Sequence, residues 1–347
     1  MTTAIEYALM AGRAYYDTRA DKNRFPIPAG WDGLKHESAA SGFEAIAFVP
    51  TGTTLASSTN IVISFAGTNP SDVTGDIAAD LALAAGNLSE QLKQAADYYL
   101  QVKASAPAGA SISLTGHSLG GGLASLVAVM FGESARTFDQ APFRNSATNI
   151  LLAHNLKAYL LQKESGTIPL DKLTQLLSPL DAYITALDPT NLNKIAADTL
   201  AGRGAQVSNI NTQGEFLSSW LGVPSSNRIG SQADLANANN VSGLDLHSQA
   251  LLTAMLQSGD TQNTAAADHT LGQASLKLTD LLGMIFDPKL FAYSTDRFNN
   301  ANVNFLEHIV RHQAGGVDGV AAGGDAMVTR FTADLWKIAQ DGGITLN

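Results

Sequence analysis

The chain has no cysteine in 347 residues, which removes disulfide crosslinks and thiolate metal sites and leaves the redox compartment unassigned. Every apolar run is broken by Gly, Ser or a charge well short of the roughly 18 residues that a membrane-spanning helix requires, so no transmembrane segment is expected. Basic residues are scarce: 21 Lys plus Arg stand against 31 Asp plus Glu, a net charge of −10, and the acids are scattered singly. That balance argues against a nucleic-acid partner, which would need a concentrated positive surface. The N-terminal "MTTAIEYALMAGRAYYDTR" lacks a basic segment followed by a long apolar core, so no cleavable signal is expected. It reads instead as an amphipathic helix with Ile5, Leu9 and Tyr16 near helical spacing. The chain reads as soluble, either cytoplasmic or exported without a cleavable N-terminal signal. Its oligomeric state is not encoded in any pattern we identify.

Hydrophobic residues make up 45% of the chain, enough for one large core. Short β-branched or apolar runs mark buried strands at "FEAIAFVP" from Phe43, "NIVISFAG" from Asn60, "SISLTG" from Ser111, "ARTFDQ" from Ala135 and "AQVSNINT" from Ala205. Helical patterns lie between them, in "SEQLKQAADYYLQVKASA" from Ser89, in "GGLASLVAVMFG" from Gly121 and repeatedly from Ala147 to Leu200. Strands alternating with helices predict an α/β fold with a mainly parallel sheet. We expect a single domain over 1–347, carrying a helical insertion over 144–203 and ending in a Gly-rich loop and a C-terminal helix over 313–347. Leu170, Leu173, Leu176, Leu177 and Leu180 give the insertion an apolar face, suited either to a lid over the site or to a subdomain that thickens the core. The Gly-rich "GGVDGVAAGGD" lacks a nonapeptide Ca²⁺ repeat. No cofactor or metal is expected, although an oxygen-ligated structural Ca²⁺ elsewhere stays open.

The stretch "LTGHSLGGGLASLV" from Leu114 packs four glycines around one serine. Within it Gly116, His117, Ser118, Leu119 and Gly120 fit Gly-x-Ser-x-Gly between a predicted strand and a predicted helix. A strand entering a helix through one tight turn holds its serine in a strained conformation with Oγ projecting, and side chains at Gly116 or Gly120 would collide with neighbouring backbone. The following helix points its first N–H groups at the serine, where an oxyanion would gain stabilisation. His117 is read as packing, because adjacent residues on a tight elbow point apart. No Lys follows the glycines, so a phosphate-cradling loop does not fit.

"GHSLGG", the upstream "ISFAGT" and the "DIAADLAL" after it resemble the pattern of class 3 lipases and bacterial phospholipase A1-like lipases. "EYALMAGRAYYDTR", "FPIPAGWDG", "SGFEAIAF", "TFDQAPF" and "LDLHSQALL" extend the resemblance over most of the chain. One departure is Ala66, where many relatives carry Arg. The terminal "VTRFTADLWKIAQDGGITLN" resembles sequence that continues in larger multidomain relatives. The resemblance implies an α/β-hydrolase fold and a serine esterase acting on a lipid ester, at an interface: a phospholipase A1 or a triacylglycerol lipase. A short-chain carboxylesterase or acyltransferase is the alternative enzyme, and an inactive hydrolase-fold binding module the alternative from another class. Leu119 by position and Thr68 by resemblance supply the oxyanion donors.

A serine hydroxyl needs a neutral His as base, and that His needs a carboxylate on its other nitrogen. In this fold the chain order is Ser, acid, His, which leaves His247, His269, His308 and His312. His247 in "SGLDLHSQALL" follows the last predicted strand and matches the family's "LH" position. His308 and His312 are spaced i, i+4, but Glu307 precedes the pair, unlike His-Glu-x-x-His. His269 reads as a loop residue. The acid chosen is Glu215, just past a strand in "NINTQGEFLSSW" and at a position that resembles the family's acid; Asp139, which closes the preceding strand, is the alternative. Asp188 and Asp245 are more distant choices, and Asp80 is read as bracing the oxyanion loop.

Overall fold

The runs read as strands become the middle of one seven-stranded sheet, in the spatial order β1 to β7. The structure is a computed structural model that describes residues 2–17, 19, 24–67, 90–188, 190, 196–219, 227–235, 243–257, 270–271, 274–275, 307, 310–311, 314, 316–317 and 320–321. The strands are β1 (Trp31–Ser38), β2 (Glu44–Pro50), β3 (Asn60–Phe65), β4 (Ser111–His117), β5 (Ser134–Phe138), β6 (Val207–Thr212) and β7 (Ser231–Leu235). β1, β2 and β3 pair antiparallel, and β3 through β7 pair parallel. The fold is α/β with a mainly parallel sheet, as the alternation predicts.

Period-two alternation explains why both faces of the sheet are covered. In β2, Ala45, Ala47 and Val49 join the main core while Ile46 and Phe48 face a second cluster with Met10, Ala14 and Tyr15. In β4, Ile112 and Leu114 enter the main core. Ser113 and Thr115 point the other way, and bond the Tyr7 hydroxyl and carbonyl of helix α1 (Ala4–Arg13). α1 starts at a capping box: Thr3 Oγ1 accepts from Glu6 N–H at 3.2 Å and Glu6 Oε2 accepts from Thr3 N–H at 2.6 Å. It ends at Arg13, before Tyr16. The sequence pattern missed β1 and β7 for one reason. Both are edge strands with polar side chains, "WDGLKHES" and "SQADL", and an edge is half open to water.

On the main-core face lie α2 (Glu90–Ser105) and α3 (Leu119–Phe131). Every residue of α3 is buried, consistent with a helix apolar all round. It stops at Gly132, which takes the left-handed conformation at φ +76° and returns its N–H to Ala128 O at 2.8 Å. Between β5 and β6 come α4 (Arg144–Ala147), α5 (Ile150–Glu164), α6 (Leu170–Leu187) and α7 (Ala196–Gly204), the helical insertion expected there. Leu173, Leu177 and Leu180 of α6 are buried in the main core, Leu176 is partly buried against it, and Leu170 is 71% exposed. α8 (Phe216–Ser219), α9 (Gly243–Leu246) and α10 (Gln249–Gln257) follow, α10 lying against α1. Gly316–Val317 pairs with Val320–Ala321 inside the Gly-rich stretch; the expected C-terminal helix lies outside the described residues. No helix among the described residues is long and apolar enough to cross a membrane.

Where α2 meets α5, two carboxylates are buried together. Gln101 Nε2 donates to Asp97 Oδ2 at 3.3 Å and to Glu164 Oε1 at 3.2 Å. Burial, then the neighbouring Glu164, push the Asp97 carboxyl up to about 7. The folded chain thus keeps a proton that the unfolded chain releases near pH 4, so this stabilising term is full below about pH 4 and is lost as pH rises through about 7. Asp97→Asn, which keeps the shape without the charge, is expected to raise the melting temperature at pH 8 and to flatten its decline between pH 4 and 7. Circular dichroism melts of parent and variant across that range check it; parallel curves would refute the assignment.

Candidate active site

Ser118 sits between β4 and α3 at φ 57° and ψ −126°, a region that side-chain-bearing residues rarely adopt. Backbone contacts hold it there. Its N–H donates to Phe138 O at 3.0 Å, and its carbonyl accepts from Gly122 N–H at 3.0 Å and Ala141 N–H at 2.9 Å. A Cβ on Gly116 would lie 2.5 Å from the carbonyl carbon and oxygen of Gly120. A Cβ on Gly120 would lie 2.6 Å from the carbonyl of Ala66 and closer still to Phe65 O. The elbow glycines are therefore fixed by close approach of β3, β4 and α3, not by their own backbone angles.

The loop after β6 and the turn before α10 bring two distant residues to this serine. His247 Nε2 is 2.8 Å from Ser118 Oγ, and His247 Nδ1 is 2.7 Å from Glu215 Oε2. With Glu215 ionised, Nδ1 carries the ring proton and Nε2 is left to accept the serine hydroxyl; the tautomer is assigned from this network. Of the two candidate acids, the one bonded to the imidazole is Glu215. It is fully buried, and its negative charge is held by donors on every side: Oε2 accepts from Leu217 N–H at 2.8 Å, and Oε1 from Ser218 N–H at 2.9 Å, the Ser218 hydroxyl at 2.6 Å and the Arg228 guanidinium. Burial alone would raise this carboxyl, but the hydrogen bond and charge of His247, then Arg228 and Ser218, outweigh it and hold Glu215 well below the usual carboxylate range.

Arg228 is the residue the sequence pattern did not reveal. It is 4% exposed and also donates to Gln140 O at 2.8 Å and to Ser218 Oγ at 2.9 Å. The signal was indirect: a buried carboxylate requires a positively charged partner, and "SSNRIG" supplies one 13 residues on.

Asp139 is also close by and wholly buried, accepting from Thr212 N–H through Oδ1 at 2.8 Å. His117 is bonded to Tyr15 Oη through Nδ1 at 3.0 Å, and its ring lies 4.8 Å from that of His247. It is buried as expected, but its ring flanks the imidazole bonded to Ser118. Leu119 opens α3, where a first-turn N–H lacks an intrahelical acceptor. Thr68, Asp80, His269, His308 and His312 lie outside the described residues, as does the side chain of Asp245. The strand leading to Thr68 is described as far as Gly67, where a Cβ would meet Ser118 Cβ at 3.1 Å. Asp188 is away from this cluster, accepting from Thr190 N–H at 2.9 Å.

Residues 6–158 match a family described as phospholipase-like, the Tle-like phospholipase domain. Over that part of its length the chain is similar to a phospholipase-like domain. The match spans the elbow and ends before Glu215 and His247. A solved structure described as lipase II from Rhizopus niveus aligns at 13% identity with a TM-score of 0.36, over 68% of this chain and 80% of that one. The search of curated proteins returned no match.

Proposed function

We propose that this protein is a serine hydrolase that cleaves the carboxylic ester of a lipid, as a phospholipase A1 or a triacylglycerol lipase, through an acyl-enzyme on Ser118. The carrying observation is the unbroken chain from Ser118 Oγ to His247 Nε2 at 2.8 Å and from His247 Nδ1 to Glu215 at 2.7 Å. His247 takes the serine proton as Oγ attacks the ester carbonyl, and the resulting imidazolium is stabilised by Glu215. The tetrahedral oxyanion is received by the Leu119 N–H and by Thr68. Collapse expels the alcohol, which takes its proton from His247, and water repeats the cycle to release the fatty acid. No metal or cofactor enters this route. The substrate class rests on the phospholipase-like match over 6–158.

The test is a substrate panel: phospholipids labelled in the sn-1 or sn-2 chain, a triglyceride and a chromogenic butyrate ester, with the labelled serine located by a fluorophosphonate probe. The expected result is release of an sn-1 fatty acid or of triglyceride acid, with the probe on Ser118. Cleavage of the butyrate alone would move the reading to a short-chain esterase. Absence of all hydrolysis, or a probe attached elsewhere, would overturn it.

A further inference from the structure

Beside the proposed triad lie two buried ligand atoms that it does not use. His117 Nδ1 is engaged by Tyr15, which leaves Nε2 facing Asp139 Oδ2 across 3.9 Å, too far for a hydrogen bond. Asp139 Oδ1 is engaged by Thr212, and neither His117 Nε2 nor Asp139 Oδ2 has a hydrogen-bond partner among the described residues. Their side chains are 4% and 0% exposed. A ring nitrogen of His247 completes the group, with the three atoms within 4.8 Å of one another.

We propose that His117, Asp139 and His247 form a site for a divalent metal of the Zn²⁺ class, whose occupancy excludes the Ser118–His247–Glu215 pairing. Two imidazole nitrogens and one carboxylate oxygen are a standard three-residue donor set for zinc. Ligands held about 2.0–2.2 Å from a tetrahedral zinc ion lie about 3.3–3.6 Å from one another, so the 3.9 Å pair closes by a few tenths of an ångström and the third atom by at most about 1.5 Å. Charge points the same way. Burial, then His247 and Arg19, hold His117 well below the usual imidazole range, so it is in the neutral, ligating form. Burial, then Glu215, push the Asp139 carboxyl up, a cost that a dication would reverse. Both nitrogens of His247 are already engaged, Nδ1 by Glu215 and Nε2 by Ser118, so the ion takes the base away from the serine whichever nitrogen it uses.

Metal binding does not depend on the hydrolytic reading; the inhibition does, and the experiment separates them. Zn²⁺ is titrated by calorimetry into the EDTA-treated full chain and into Ser118→Ala. The expected result is one Zn²⁺ per chain, bound at least as tightly by Ser118→Ala. His117→Asn and Asp139→Asn should each weaken it by at least about tenfold. His36→Ala is the control for the partly exposed group Asp17, His36 and Glu44 and should change nothing. Ester hydrolysis by the parent should fall with the same midpoint and return on chelation. Co²⁺ in the unmutated chain should give the visible bands of a low-symmetry nitrogen and oxygen site, a readout that survives if the variants misfold. No Zn²⁺ bound by Ser118→Ala, an affinity lost in His36→Ala and kept in His117→Asn, or a Co²⁺ spectrum identical to the aquo ion would each overturn the proposal. Binding without loss of hydrolysis would overturn the exclusion of the triad.

Discussion

His247→Ala is expected to lower kcat on an ester substrate by about 10⁶-fold, with Ser118→Ala and the double variant falling to the same residual rate. The three should agree because, in the proposed mechanism, serine and imidazole act as one unit: without a base the hydroxyl stays protonated, and without the hydroxyl the base has nothing to activate. Glu215→Gln should cost less, about 10⁴-fold, since the amide still occupies the space but can present its NH₂ to Nδ1 and select the wrong tautomer. In each case KM should move little, because these groups act on the reacting atoms and not on the acyl chain. Steady-state kinetics on one soluble ester, with circular dichroism to show that each variant is folded, is the check. Additive losses, with the double variant far below either single one, would mean that Ser118 and His247 do not form one catalytic unit, despite their 2.8 Å contact.

The serine elbow was plain in the sequence, while the preference for Glu215 over Asp139 rested on strand order and resemblance, and the difference is physical. Ser118 announces itself through local covalent geometry: Gly116 and Gly120 are demanded by backbone contacts that follow from a strand running directly into a helix. Asp139 and Glu215 both follow strand ends, both are fully buried, and no local pattern separates them. The choice is made by tertiary partners. The loop after β6 folds the Leu217 and Ser218 N–H groups onto the Glu215 carboxylate and Arg228 arrives from a different loop, so Glu215 is held ionised, whereas Asp139 has one backbone donor and a strained φ of 41°. The strands divide in the same way. β2 to β6 carry the apolar signature of elements covered on both faces, while β1 and β7 are edges whose polar side chains read as loop. The insertion was legible as helix, but its packing was not. Leucines at helical spacing declare an apolar face without saying what covers it, and here Leu173, Leu177 and Leu180 are covered by the main core.

The largest structural effect is expected at Gly120. An added methyl there points at the carbonyls of Phe65 and Ala66 at the end of β3, and it cannot rotate away because Cβ has no free torsion. Neither wall is a flexible side chain. Phe65 is paired in register with Gly116 of β4, and Ala66 N–H donates to Glu44 O at 2.9 Å, so relief requires β3 or the start of α3 to shift as a unit. A shift of that kind costs about 4 kcal/mol or more, a large share of the roughly 5–15 kcal/mol that stabilises a folded domain. Gly120→Ala should therefore yield little soluble protein, and whatever folds should be inactive because the elbow that aims Ser118 is displaced. Gly202 in α7 is the matched control: nothing lies within 4 Å of its would-be Cβ, so Gly202→Ala should be neutral or gain up to about 1 kcal/mol from helix propensity. Thermal melts and expression yields of the two variants decide the matter, since a Gly120→Ala chain that melts with the parent would show that β3, β4 and α3 do not meet as closely as the serine elbow requires.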